Sequence, residues 1–99
     1  MKNLTKANFN EEINNGVVLV DFYADWCGPC QMQGPIVEEL SEERTDVKFC
    51  KVDIDEPGMM PIAMELRISS IPTIMVVKNG EITYKQPGLM QKSELLALL

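Results

Sequence analysis

Residues Val17-Val-Leu-Val-Asp-Phe22 are apolar at both parities, with a single carboxylate among them. Side chains of a strand alternate between two faces, so a run that is apolar on both must be covered on both. That requirement excludes a sheet with one wet face. It predicts a central strand with a layer of helices above and another below. Ile74-Met-Val-Val77 is a second run of the same kind. Between the two, Met32, Ile36 and Leu40 fall in line on a helix expected from Pro29 to Glu43, with Pro35 inside it as a kink. Val47 to Ile54 reads as another strand. A strand, helix and strand at this spacing form a right-handed parallel crossover.

The flanking segments complete an α/β pattern. Thr5 is the expected cap of a first helix carrying Phe9 and Ile13, stopped at Gly16. A turn at Asp55–Gly58 precedes a short helix over Met59–Leu66. Asn79-Gly80 is a two-residue hairpin signal. The returning strand, Glu81 to Gln86, alternates, with Ile82 and Tyr84 expected on one face. Pro87-Gly88 ends it as suits an edge, and Gln91–Leu99 closes the chain as a helix. No repeat or linker interrupts the 99 residues, which predict one domain over 1–99.

The formal charge of −6 argues against nucleic-acid or anionic-membrane partners, both of which favour basic patches. No apolar stretch reaches the roughly 20 residues of a membrane span. The first ten residues lack a signal-peptide pattern, so a cytoplasmic location is expected.

Immediately after the first apolar run comes Trp26-Cys-Gly-Pro-Cys30. Two thiols at this spacing can close a small disulfide ring or stand open as a dithiol. If a helix begins here, its N-terminal N–H groups and dipole favour the thiolate of Cys27, the attacking form in disulfide exchange. The competing reading is half a zinc site. It needs two more ligands, yet only Cys50 remains among the cysteines and the chain has no histidine. A catalytic dithiol is therefore the better reading, with no metal. Cys50 falls on the Val52 and Ile54 parity of its strand and reads as a small core residue. The seven methionines read mainly as core filler.

Parity also places Asp21. It shares a face with Val17 and Leu19, so it should be desolvated, with a raised pKa. Such a group near the second thiol can take and return that thiol's proton. Lys51 shares its face with Val47 and Phe49, and its expected neighbour strand carries Asp21. A lysine there would temper the carboxyl's rise, although a surface lysine with a buried stem fits the pattern nearly as well. Ile71-Pro72-Thr73 leads into the second apolar run. A cis peptide at Pro72, with backbone groups turned toward a substrate, and a plain trans strand entry are equally compatible with the spacing.

Together these residues resemble the thioredoxin family. Val18–Cys30 looks like that family's active-site strand and loop, Pro35 its helix proline, and Lys51-Val-Asp-Ile-Asp55 its third-strand segment. Ile71-Pro-Thr73, Lys78-Asn-Gly-Glu81 and Gly88 match its cis-proline loop, hairpin and substrate-side glycine. The resemblance implies a three-layer α/β/α sandwich around a central mixed four-stranded sheet. It implies a thiol–disulfide oxidoreductase, a protein disulfide reductase whose redox centre is the Cys27–Cys30 pair without added cofactor. It assigns Cys27 as nucleophile, Cys30 as resolving thiol, Asp21 as proton acceptor and Lys51 beside it. Trp26, Gly28, Pro29, Ile71, Pro72 and Gly88 are the expected substrate-binding residues. The implied partners are disulfide-containing client proteins and a thioredoxin reductase, with the chain itself a monomer. An oxidase or isomerase of the same fold, or a binding module built on it, is the alternative.

The chain departs from the family pattern in places. Tyr23 stands where Trp is frequent, and Gln31 replaces a usual Lys after the second cysteine. Arg67 stands where Gly is common, and the segment from Asp55 to Pro72 runs about two residues longer. Pro87 replaces an apolar β-branched residue, and Gln91 is a weaker cap than Ser or Thr.

Overall fold

A computed structural model describes residues 1–99. In chain order the elements are β1 (Lys2–Asn3), α1 (Phe9–Ile13), β2 (Val17–Tyr23), α2 (Gly28–Glu43) and β3 (Lys48–Asp53). There follow α3 (Met59–Glu65), β4 (Thr73–Lys78), β5 (Glu81–Pro87) and α4 (Lys92–Leu96). The sheet order is β1-β3-β2-β4-β5. β1, β3 and β2 run parallel, and β4 and β5 are antiparallel to their neighbours.

The double-sided apolar pattern of β2 is satisfied as expected. Val18, Val20 and Phe22 join Val52, Met75 and Val77 with Phe9 of α1 and Met59 of α3 on one face. Leu19 joins Phe49, Ile74 and Val76 with Val37 and Leu40 of α2 and Leu95 of α4 on the other. This is the three-layer sandwich. The sheet, however, has five strands and not four. The extra strand is only two residues long, too short to show a period. It exists because Lys2 and Asn3 pair with Cys50 and Lys51 on the free edge of β3, and Leu4 N–H donates to Lys51 C=O at 2.9 Å.

Local details also differ from the sequence reading. Thr5 does not cap α1 with its side chain. The Asn8 side-chain oxygen accepts the Thr5 N–H at 2.7 Å, and the Thr5 carbonyl accepts the N–H of Phe9. Ile82 and Tyr84 do not share a face. Val77 faces Ile82 and Val76 faces Tyr84, so Thr83 is an extra residue in the ladder and the alternation reverses there. Gln91 is supported after all, because the Glu94 carboxylate accepts its N–H at 2.9 Å, one half of a capping box. Arg67 adopts φ 59°, the left-handed conformation that glycine would take more easily.

Candidate active site

β2 is the central strand, and the loop at its C-terminal end turns directly into α2. Cys27 is the N-cap of α2, with extended backbone, and Pro29 lies in the first turn, where a missing N–H costs nothing. The Cys27 Sγ accepts the Cys30 N–H at 3.2 Å, as the cap of a helix does. No carboxylate lies in that first turn, so the helix's positive end is unopposed by its own residues. α2 has 16 residues and continues through Pro35.

Cys27 and Cys30 are joined as a disulfide, with their Cα atoms 5.2 Å apart. Both are largely covered, 6% and 4% exposed, by Tyr23, Ala24, Ile54 and Ile71. Cys27 Sγ lies 3.8 Å from the Ile71 carbonyl oxygen. The Ile71–Pro72 peptide is cis. The Pro72 carbonyl does not face outward. It accepts the Gly88 N–H at 2.8 Å, which brings the 71–73 and 87–88 segments together. Gly88 has φ 111°, a conformation open chiefly to glycine. Gly28 and Pro29 are exposed on the outer side of the turn.

Trp26 is 70% exposed, an unusual state for so large an apolar group. Its indole N–H donates to the Asp55 carboxylate at 2.7 Å, which fixes the ring's direction. With Ile54, Met60, Ala63, Ile68 and Ile71 it lines a hollow of about 350 Å³ beside the disulfide. Asp55 and Met60 were not singled out from the sequence. Asp55 reads as the end of the third-strand segment and the start of a turn, and nothing in the pattern links it to a tryptophan 29 residues earlier.

A second cavity, of about 220 Å³, opens on the other side of the disulfide and reaches Cys30, Asp21, Lys51, Gln31 and Glu38. Asp21 is 2% exposed, on the Leu19 face as its parity required, and one of its oxygens is buried with no hydrogen-bond partner. Burial pushes its carboxyl up to about 6, while the Lys51 charge pulls the other way. Lys51 sits directly across the ladder from Asp21 and also lies 5.9 Å from the centre of the Tyr23 ring. Gln31 spans the mouth of the active-site loop, donating to the Asp25 carbonyl at 2.9 Å. Cys50 is fully buried on the opposite face, and burial raises its thiol to about 11.

The structure thus places Cys27, Cys30, Trp26, Ile71, Pro72 and Gly88 around one centre, with Asp21 and Lys51 reached from behind Cys30. A family model described as "Thioredoxin" matches residues 1–99. The chain belongs to the thioredoxin family. It is 43% identical to a thioredoxin of Mycoplasmoides gallisepticum, over all of this chain and 99% of that protein. It is 47% identical to a thioredoxin of Rickettsia felis, over 95% of this chain and 90% of that one. Among solved structures, thioredoxin f2 of Chlamydomonas reinhardtii superposes with a TM-score of 0.88 at 35% identity, covering 99% of this chain and 92% of its own. A member of this family with both cysteines present and bonded is a thiol–disulfide oxidoreductase, a protein disulfide reductase. The family's redox centre is the disulfide itself. No helix of the chain is long and apolar enough to cross a membrane.

Proposed function

We propose that Cys27 is the attacking sulfur, Cys30 the resolving sulfur and Asp21 the group that exchanges protons with Cys30. The observation that carries this division of labour is the position of the two sulfurs. Cys27 Sγ faces the Cys30 N–H and the helix terminus, whereas Cys30 opens to the cavity that holds Asp21. The first environment favours a thiolate, and the second supplies a proton acceptor whose carboxyl burial raises to about 6.

The reaction then runs in two exchanges. The Cys27 thiolate attacks one sulfur of a client disulfide, forms a mixed disulfide and releases the client's other sulfur as a thiolate. Cys30 gives its proton to Asp21 and attacks Cys27 Sγ, which frees the second client sulfur and closes the Cys27–Cys30 bond. Two electrons have passed to the client. Two electrons and two protons from a thioredoxin reductase restore the dithiol.

Clients are disulfide-containing polypeptides, received by Trp26, Gly28, Pro29, Ile71, Pro72 and Gly88. No added cofactor or metal takes part, the chain acts as a monomer, and its place is the cytoplasm. Neither nucleic acid nor membrane is a partner. The charge of −6 supports that exclusion.

The test is the reduction of insulin by dithiothreitol with and without the protein, together with the equilibrium potential of the pair. A potential near roughly −270 mV, the value typical of thioredoxin, supports the reductase. One near roughly −120 to −180 mV supports an oxidase or isomerase instead. If insulin reduction is no faster with the protein present, the assignment fails.

A further inference from the structure

We infer that Gln33 is a positioning residue that holds the Gly88–Met90 rim of the client groove onto the active-site helix. The inference rests on the oxidoreductase reading above and assigns one more determinant of its preference for protein disulfides.

Gln33 lies three residues after Cys30 on α2 and is fully buried, the only amide side chain of the chain in that state. It shares the buried face of α2 with Val37 and Leu40, where an unpaired amide is costly. Both ends of the amide are used, and both on one residue. Its Nε2 donates to the Met90 carbonyl at 3.0 Å, and its Oε1 accepts the Met90 N–H at 2.8 Å. A two-bond clamp of this kind fixes one main-chain position in both distance and orientation.

Met90 needs such a clamp. It lies between β5 and α4, outside any ladder or helix, so no regular structure holds it. The neighbouring main-chain anchor of this segment is Gly88, whose N–H donates to the Pro72 carbonyl, while the Met90 side chain meets the Tyr84 hydroxyl through its sulfur at 3.5 Å. Leu89 alone separates the two anchors. Ile71, next to Pro72, places its carbonyl 3.8 Å from Cys27 Sγ. A closed circuit results, from the helix bearing Cys30 through Gln33, Met90, Gly88 and Pro72 back to Cys27. The rim is thereby held in place relative to the sulfurs before any client arrives. An apolar side chain at 33 would fill the space but leave the Met90 N–H and C=O unpaired, and the rim would have to be ordered during binding.

A polypeptide client lies along this rim, whereas a small aromatic disulfide needs only the sulfur. The expected result separates them. In single-turnover reactions of pre-reduced protein, Gln33→Met lowers the rate constant toward insulin about five- to tenfold, because part of what the two lost hydrogen bonds contribute is preorganisation of the rim. Toward 5,5′-dithiobis(2-nitrobenzoic acid) the rate constant stays within about twofold. Equal losses on both substrates, or a loss on neither, would overturn the inference. Native-state amide exchange of the unaltered protein gives a second check that needs no variant. The Met90 amide should be protected like a helical amide, and exchange at the rate of an exposed loop would also overturn it. If the unaltered protein reduces neither disulfide, the oxidoreductase reading fails instead, and the exchange result still judges the clamp.

Discussion

Replacing Asp21 by Asn should change the pH dependence of stability by an amount that the burial of this one carboxyl sets. The group is 2% exposed and titrates at about 6 in place of 3.8. Between those two pH values the folded chain keeps a proton that the unfolded chain has released. The unfolded state therefore binds fewer protons, and stability falls as pH rises through that window. Above it the loss is complete. The interval, at about 1.4 kcal/mol per pH unit, corresponds to about 3 kcal/mol, of which the greater part develops between pH 4 and pH 8. Asn does not titrate, so it escapes this loss. Any cost of the amide itself is the same at both pH values and cancels in the comparison. The assay is guanidinium unfolding of both proteins in the oxidised state, where neither Cys27 nor Cys30 can titrate, at pH 4 and pH 8. The variant should gain between about 2 and 3 kcal/mol on the unaltered protein from the lower pH to the higher. That is a relative midpoint shift of roughly 1 M. A gap that does not change with pH, or that narrows toward pH 8, would refute the claim that Asp21 is held against its charge.

Three further outcomes follow from the same geometry. Cys30→Ser should stop turnover of insulin reduction and accumulate a covalent mixed disulfide through Cys27, visible by mass and released by dithiothreitol; turnover that persists would remove Cys30 from the second exchange. Lys51→Met takes away the charge that lowers the Asp21 carboxyl, so the pH at which insulin reduction reaches half its maximum should move upward, and a shift downward would contradict the pairing. Leu40→Ala removes a fully buried side chain between α2 and the sheet and should cost about 2–5 kcal/mol in denaturant unfolding, with the midpoint potential of the cysteine pair left nearly unchanged.

What could be read from the sequence follows a physical line. Asp21 was placeable because it interrupts a strand whose parity is otherwise unambiguous, so its face and its burial followed from a period of two. Its partner across the ladder, Lys51, followed from the same parity on the next strand, and the register bears that out. The CxxC pair could be placed on a helix start because Gly-Pro and an apolar strand flank it. Some features that escaped have no period, and elsewhere a period misled: Met32, read in line with Ile36 and Leu40, is 60% exposed, and the buried stripe of α2 runs through Gln33, Val37 and Leu40. β1 is two residues of edge pairing. The bulge at Thr83 reverses an alternation that looks regular in the string. Gln33 reads as one polar residue among others on a helix, and its meaning lies in a main chain 57 residues away. Long-range polar contacts of this type leave no local signature, and they are where the site was least visible.

Cys50 is the one cysteine outside the redox pair, and it is buried. A chain that lives by trading disulfides is itself a target for the trade, and every additional reactive sulfur offers a wrong ring to close or a wrong partner to keep. This third sulfur lies sealed in the layer against α1 and α3, and its thiol stays protonated at any physiological pH. The traffic is thereby confined to a single couple. Repeated cycles of oxidation and reduction return the molecule to the same covalent structure, without dead-end crosslinks that a rescue pathway would have to undo.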